Sequence, residues 1–373
     1  MALIALHFSE YSANLALALA EHCDVLLVLY QENADKQLGH DWRTIFKGSR
    51  AEVLVLNKPK SVSSVFRNTW RIVSRVKRYA PEIIHYQEEI RDELVLGLIF
   101  IRTIPTVLTI HDPTPHSGTD SNRLRYSRYR LYLPLMRYSA DMAITHGCTL
   151  SDSLVKNYPR FIGKVRTIPH GPLGLNCVKE GSEESLRTDG YRLLFFGRIH
   201  EYKGLRYFID SVTALRNKGY PVTGVVAGQG NDLECHRQQM ENAGCFEILD
   251  RYISAEEIPG LFLESFAVIL PYVDGTQSGV AAMALGFARP VVASAVGSIP
   301  ELVRDRENGL LVPPRDVLAL VEAIETLLID KQLWKRLARG AGELRDGELS
   351  WGVIAAKTMS AYDSVVEMQL DSA

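Results

Sequence analysis

Cysteine is scarce in this chain, and what there is points to no metal or disulfide framework. The five cysteines (Cys23, Cys148, Cys177, Cys235, Cys245) are odd in number and scattered, with no pair at a metal-ligand spacing. Reduced thiols in a cytoplasmic compartment are therefore expected. An Asp-x-Asp pair and a His/Cys cluster with ligand spacing are also missing, so no bound metal is expected. Nor is there a Gly-x-Ser-x-Gly elbow or a Ser-His-Asp set, which argues against a hydrolase. The N-terminus has no basic n-region, and its apolar stretch at 13–30 is broken by Glu21, His22 and Asp24, so no signal peptide is expected. The apolar run Leu94–Ile101 stops at Arg102 and is too short to span a bilayer. No repeat of 20–50 residues and no low-complexity tract is visible.

What is present is an ordinary globular composition, 46% hydrophobic and 23% charged over 373 residues, a length that favours two domains. The net charge of −2 hides an asymmetry. Residues 1–180 hold 23 Lys+Arg against 17 Asp+Glu, or +6, and residues 181–373 hold 19 against 27, or −8. A basic half joined to an acidic half suggests that one half faces something anionic.

Short β-branched runs alternate with helical patterns, which predicts parallel sheets with crossover helices. The first half offers strands at Leu3–Leu6, Val25–Leu29, Val53–Leu56, Ile83–His85, Thr106–Ile110, Met142–Thr145 and Val165–Ile168, with helices such as Ser64–Tyr79 and Leu124–Tyr138. The second half offers strands at Leu193–Phe196, Gly224–Ala227, Val268–Leu270, Val291–Ala293 and Leu310–Val312, with helices at 204–217, 232–243, 277–287 and 315–329. Turn-rich and polar residues at 171–191 mark the boundary. The expected division is 1–175, 176–350 and a C-terminal segment 351–373. That segment is a helix whose apolar stripe (Trp351, Ile354, Ala355, Met359, Tyr362, Val366) needs a partner surface. The predicted fold class is α/β, with two doubly wound domains facing a cleft.

The most informative stretch is Leu193-Leu-Phe-Phe-Gly-Arg-Ile-His-Glu-Tyr-Lys-Gly204. An apolar strand ends at Gly197, Arg198 and Lys203 follow, and Gly204 opens an amphipathic helix. Two cations and a helix N-terminus at the carboxyl end of a buried strand suit a diphosphate. The plainer reading is a βα loop with solvated cations. Gly228 and Gly230, in Val-Val-Ala-Gly-Gln-Gly, form a tight turn that lets backbone approach a ligand. Next, Leu270-Pro-Tyr-Val-Asp-Gly-Thr-Gln-Ser-Gly-Val presents Asp274, Thr276, Gln277 and Ser278, groups that can read sugar hydroxyls, before Gly279 starts a helix whose N–H groups suit a phosphate. An N-cap would account for Ser278 or Thr276 alone. Pro290-Val-Val-Ala-Ser-Ala-Val-Gly-Ser-Ile-Pro-Glu301 places Glu301 near the same edge. Asn308-Gly-Leu-Leu-Val-Pro-Pro reads as a structural turn into a strand.

These segments, in this order, resemble the nucleotide-sugar domain of GT-B glycosyltransferases, in particular the retaining glycosyltransferase family 4, also described as glycosyl transferases group 1. The resemblance covers about 190–320 strongly and the first half loosely. It implies a GT-B fold of two Rossmann-like domains, a nucleoside-diphosphate sugar donor and transfer with retention. Arg198 and Lys203 would bind the diphosphate, and Asp274 stands where the family often has a glutamate near the donor sugar. Eight residues on, where the family often has a second, ribose-binding glutamate, this chain has Ala282; Gln277 and Ser278 are candidate substitutes. The loop His7-Phe-Ser-Glu-Tyr-Ser-Ala-Asn14 lacks the paired glycines expected near the donor phosphates. His111, in Leu108-Thr-Ile-His-Asp-Pro, matches the histidine the family uses beside the donor sugar. His146 and His170 stand in similar strand-end positions and read as loop or hinge residues, and His116 is a weaker candidate.

From Arg43 to Arg78 there are ten cations and one acid, Glu52, with Phe66 and Trp70 interleaved. A second basic stretch runs from Arg123 to Arg137 among tyrosines. Such helices suit a membrane interface, although a solvated face has the same composition. Nucleic acid is a poor partner for a chain of negative overall charge. With what the resemblance implies, the expectation is a retaining, metal-independent cytoplasmic hexosyltransferase, peripheral on the inner face of the cell membrane. It would move a sugar from a UDP- or GDP-sugar to a glycan or lipid-linked acceptor. A nucleotide-sugar epimerase of the same fold and a nucleotide-sugar-binding protein with a degenerate site are the alternatives.

Overall fold

A computed structural model describes residues 1–88, 91–113, 129–178 and 190–370. His116, Arg123, Arg125 and Arg128 lie outside the described residues. Packing divides the chain into two compact units. One gathers residues up to Pro169 together with the segment from Trp351, and the other is formed by His170–Ser350.

The first unit is built on seven parallel strands: β1 (Ala2–Ile4), β2 (Val25–Tyr30), β3 (Ala51–Leu56), β4 (Ile84–Gln87), β5 (Thr106–Thr109), β6 (Met142–Thr145) and β7 (Val165–Thr167). Their order is β3-β2-β1-β4-β5-β6-β7. Crossovers include α1 (Ser9–Leu19), α2 (Gln31–Leu38), α3 (Val62–Tyr79), α4 (Asp92–Ile101), α5 (Tyr129–Ser139) and α6 (Cys148–Asn157). The central strands are buried throughout, as strands covered by helices on both faces require. Edge strand β3 is only half-buried, and its Glu52 pairs with Arg75 of α3. The strand order reverses between β1 and β4, and ligands of open α/β sheets bind outside the carboxyl ends of strands at such a reversal.

Helix α3 starts with a reciprocal capping box between Ser61 and Ser64. Ile72, Val73 and Val76 bury its inner face, while Val62, Phe66 and Trp70 stand 73%, 60% and 69% exposed on the outer one. These three are spaced i, i+4, i+8 and form one stripe. The expected basic patch ending at Arg137 needs correction there. Arg137 is 1% exposed, and its guanidinium makes a two-pronged pair with Glu88 at 2.7 and 2.9 Å. Its long side chain points into the unit and ties α5 to the end of β4, so it faces no membrane.

The second unit has six parallel strands: β8 (Tyr191–Phe196), β9 (Val222–Ala227), β10 (Phe246–Leu249), β11 (Ala267–Leu270), β12 (Val291–Ser294) and β13 (Gly309–Val312), in the order β10-β9-β8-β11-β12-β13. Its helices are α7 (Leu205–Asn217), α8 (Asn231–Ala243), α9 (Ile258–Leu263), α10 (Gly279–Gly286), α11 (Ile299–Leu302), α12 (Val317–Ile329) and α13 (Lys331–Asp346). Strand β10 and helices α9 and α13 were not anticipated from sequence. Asn308 closes the turn before β13: its Oδ1 accepts from Arg304 N at 2.8 Å and its Nδ2 donates to Leu302 O at 3.1 Å. The order reverses between β8 and β11, the two strands whose loops carry the motifs singled out above.

The chain then returns to the first unit as α14 (Trp351–Leu370), which packs on α1. Its buried stripe is Ile354, Ala355, Thr358, Ala361, Tyr362 and Val365. The Tyr362 hydroxyl lies 2.7 Å from Nδ1 of His85 in β4, and Nε2 of the same histidine is 2.7 Å from Thr109 Oγ1. Burial holds His85 neutral, with its pKa pushed down to about 3.

Candidate active site

At the carboxyl edge of the second sheet, four loops are locked together by backbone contacts. After β8, Gly197 N donates to Ala227 O at 2.9 Å and Ile199 N to Gln229 O at 2.8 Å. A Cβ on Gly228 would overlap the Gly197 carbonyl, and one on Gly230 would overlap that of Ile199. The absence of side chains at 228 and 230 is therefore used by the protein's own backbone. Gly204 adopts φ 72°, where a Cβ would overlap the Pro271 carbonyl oxygen. Val273 N donates to Tyr202 O at 2.8 Å, so the loop after β8 rests directly on the loop after β11. The loop after β12 joins them through Ser298 N donating to Thr276 O at 2.8 Å.

This frame holds the two cations in different states. Arg198 is exposed. Lys203 is 7% exposed, with its amine 3.5 Å from Phe196 O and 5.4 Å from the centre of the Tyr272 ring. Glycine at 197 leaves room for the amine, since a Cβ there would stand 3.0 Å from Nζ. Among the described residues neither cation forms an ion pair. Burial pushes the Lys203 pKa down to about 8, and the charge on Arg198 pushes the same way. Tyr272, which sequence reasoning missed, is buried, and its phenol pKa is pushed up to about 12 by burial.

Ser278 is the N-cap of α10: its Oγ accepts from Ala281 N at 3.1 Å and lies 3.3 Å from the Tyr272 hydroxyl. The plainer of the two sequence readings therefore accounts for Ser278. Asp274 turns its Oδ1 to Gly275 N at 2.8 Å and, like Thr276 and Gln277, is half-buried in the same turn. A Cβ at Gly279 would meet nothing within 4 Å, so open space faces the start of α10. Ala282 is fully buried in α10, so the position eight residues after Asp274 faces the core. Glu301 is exposed in the first turn of α11.

At the carboxyl edge of the first sheet, His111 lies just beyond β5 and is 5% exposed. Its Nε2 is 2.8 Å from Gln87 Oε1, its ring stacks on Phe8 with centroids 4.0 Å apart, and the rings of His146 and Tyr11 lie 4.8 and 5.6 Å away. Phe8, Tyr11 and Gln87 carried no recognisable motif. The amide Nε2 of Gln87 is buried with no hydrogen-bond partner among the described residues. His146 is held by a 2.9 Å contact from Nδ1 to Ile168 O. His170 opens the second unit with Nδ1 2.7 Å from Gly171 O, and burial pushes its pKa down to about 4. Among the described residues no group of His, Cys, Asp and Glu could hold a metal ion, and no helix is long and apolar enough to cross a membrane.

Two doubly wound parallel sheets, with cation-bearing loops at the reversal of the second, define the GT-B class of glycosyltransferases. The family description "Glycosyl transferases group 1" matches residues 190–330, and "Glycosyltransferase Family 4" matches 9–171. The chain belongs to this family of glycosyltransferases. It is 24% identical over 294 residues to a glycogen synthase of Mycobacterium tuberculosis, covering 77% of this chain and 69% of that protein. It is 30% identical over 249 residues to a D-inositol 3-phosphate glycosyltransferase of Salinispora tropica, covering 61% and 52%. Among solved structures, HepE of Anabaena in complex with UDP and glucose aligns with a TM-score of 0.72 at 19% identity, over 97% of this chain and 99% of that one. Sucrose-phosphate synthase from Thermosynechococcus elongatus aligns at 0.70 and 17% identity, over 98% and 99%.

Proposed function

We propose that this chain transfers a sugar from a UDP- or GDP-sugar to a glycan or lipid-linked acceptor, with retention of configuration and without a metal, in polysaccharide or glycolipid biosynthesis. The observation that carries the reading is the buried amine of Lys203, which has no ion-pair partner among the described residues. A buried ammonium without a counter-ion is costly, and a diphosphate arriving at this edge supplies one. Arg198 beside it adds a second charge. As the sugar–phosphate bond breaks, negative charge grows on the departing diphosphate. Charge-assisted hydrogen bonds contribute on the order of 1.5–3 kcal/mol each, and more where they strengthen in the transition state. The N–H groups at the start of α10 point to the open space at Gly279 and suit a phosphate.

In this reading Asp274, Thr276 and Gln277 serve the sugar and ribose side, and His111, oriented by Gln87, is the residue the family resemblance assigns beside the donor sugar. Retention rests on that resemblance. The solved HepE complexes with UDP, glucose and UDP-glucose support a nucleotide-sugar donor here. The exposed stripe of Val62, Phe66 and Trp70, flanked by exposed Arg67 and Arg71, supports contact with an anionic membrane surface on the cytoplasmic side.

The test is a thermal-shift panel of UDP- and GDP-sugars, followed by assay of nucleoside-diphosphate release with lipid extracts and glycans. A stabilising donor whose nucleotide is released only with an acceptor supports transfer. Binding without release under any acceptor condition would sink the enzyme reading and leave a binding protein.

A further inference from the structure

We propose that the first unit carries a saccharide site separate from the residues discussed above, in a cavity of 740 Å³ beside the C-terminal part of α1. Its lining includes Asn14, Ala18 and Glu21, then Lys47 and Arg50 from the loop before β3, and Trp351 at the start of α14. Helix α1 begins near the carboxyl edge of the sheet, its last residue Leu19 lies roughly 15 Å further along at 1.5 Å per residue, and Glu21 follows in the turn beyond it. Arg50 leads directly into β3. The Lys47–Arg50 side of the cavity therefore lies toward the amino edge of this sheet, and neither His111 nor any of its ring partners lines it.

Three features point to an occupant. Asn14 is 8% exposed, yet its side-chain amide makes no hydrogen bond among the described residues. Its amide is not sealed in the core, so it offers a donor and an acceptor to an occupant of the cavity. Lys47, Arg50 and Glu21 form no ion pair among the described residues; Arg50 gives only its Nε, to Ala20 O at 2.8 Å. Trp351 and Ala18 supply apolar wall between these polar groups.

The mixture selects the ligand class. Donors come from Asn14, Lys47 and Arg50, and acceptors from Glu21 and the Asn14 carbonyl. A sugar ring answers both with hydroxyls that donate and accept, and it lays a C–H face on the aromatic wall. Inorganic phosphate would use the cations and leave Glu21 and Trp351 without a role. An apolar ligand would strand the charges. The geometry thus fits one hexose unit of a glycan. This inference does not rest on the donor reading. Trp351 also meets Tyr11, with ring centroids 5.2 Å apart, so its environment reports on occupancy.

Saturation-transfer NMR on the full chain, with saturating UDP present, tests it using maltose, cellobiose, chitobiose and inorganic phosphate as probes. At least one disaccharide is expected to bind and to remain bound beside UDP. Asn14→Leu and Lys47→Glu should each weaken it tenfold or more, with UDP affinity unchanged. Should Asn14→Leu fail to fold, Lys47→Glu, at an exposed position, decides. Binding of phosphate alone, displacement of the sugar by UDP, or sugar binding untouched by both variants would each overturn the proposal. So would the absence of any sugar signal. UDP binding is read in the same samples, so failure of the donor reading is seen separately.

Discussion

The amine of Lys203 stands 5.4 Å from the centre of the Tyr272 ring, held there by a loop that rests on Pro271. This pairs the strand β8 cation with the strand β11 loop in one rigid corner. Replacing Lys203 with Met keeps the volume and removes the charge. Turnover of the donor is expected to fall by about 10- to 100-fold, from a loss of roughly 1.5–3 kcal/mol. Tm should hold or rise, because a buried charge without a partner is gone. The double variant Arg198→Ala with Lys203→Ala should abolish turnover with the fold intact by circular dichroism. Unchanged turnover would refute the diphosphate assignment.

The same amine gives a pH signature. Its pKa is about 8, so the unliganded protein loses this charge as pH rises through 8. Affinity for UDP, measured calorimetrically from pH 6.5 to 9.5, should be flat at the acid end and decline above about pH 8. The decline should vanish in Lys203→Met. A bound diphosphate raises the amine's pKa, so protons are taken up on binding near pH 8.

Gly204→Ala is predicted to destabilise by about 2 kcal/mol or more, since φ is positive and the new Cβ meets a backbone oxygen. Gly279→Ala meets nothing and should leave the unfolding free energy within about 0.5 kcal/mol of wild type. Urea melts of the two variants separate these cases. If Gly279→Ala also weakens UDP binding, the open space at α10 belongs to the ligand.

Some of this was readable from sequence and some was not, for reasons visible at single residues. The β8 and β11 runs are unbroken apolar stretches with turn residues at their ends, so their carboxyl edges could be placed. Strand β10 escaped notice because Phe246-Glu-Ile-Leu is only four residues and half-buried. Arg198 and Lys203 looked equivalent, and only the fold makes one exposed and the other buried. Arg137 is not distinguishable from its neighbours in sequence, because an arginine among tyrosines at helical spacing looks the same in a solvated face and in a buried pair. Its partner Glu88 is 49 residues away in sequence.

The contact of His85 with Tyr362 makes acid sensitivity predictable. With a folded pKa near 3 against the usual 6.5, His85 contributes stability that is complete above pH 6.5 and is lost as pH falls toward 3. The slope approaches about 1.4 kcal/mol per pH unit inside that window. Wild-type stability should therefore drop between pH 6 and 4 more steeply than that of His85→Gln, as read by urea midpoints. Parallel slopes would show that the histidine is not the proton acceptor.

The outer stripe of α3 predicts lipid selectivity. Phe66→Ser with Trp70→Ser should reduce sedimentation with anionic liposomes several-fold, while donor binding stays constant. Equal sedimentation of wild type with neutral liposomes would remove the electrostatic part of the argument.

The first unit is interrupted in sequence: its sheet is complete by β7, but the helix that covers α1 and supplies the partner of His85 comes after all of the second unit. During synthesis, therefore, the early unit leaves the ribosome with the face of α1 uncovered and with Nδ1 of His85 lacking its Tyr362 partner. It waits through some 180 further residues before its last piece arrives. A chain cut short near position 350 would hold all of the second unit but lack the helix that covers α1 in the first. Such a chain exposes the surface that chaperones and proteases recognise.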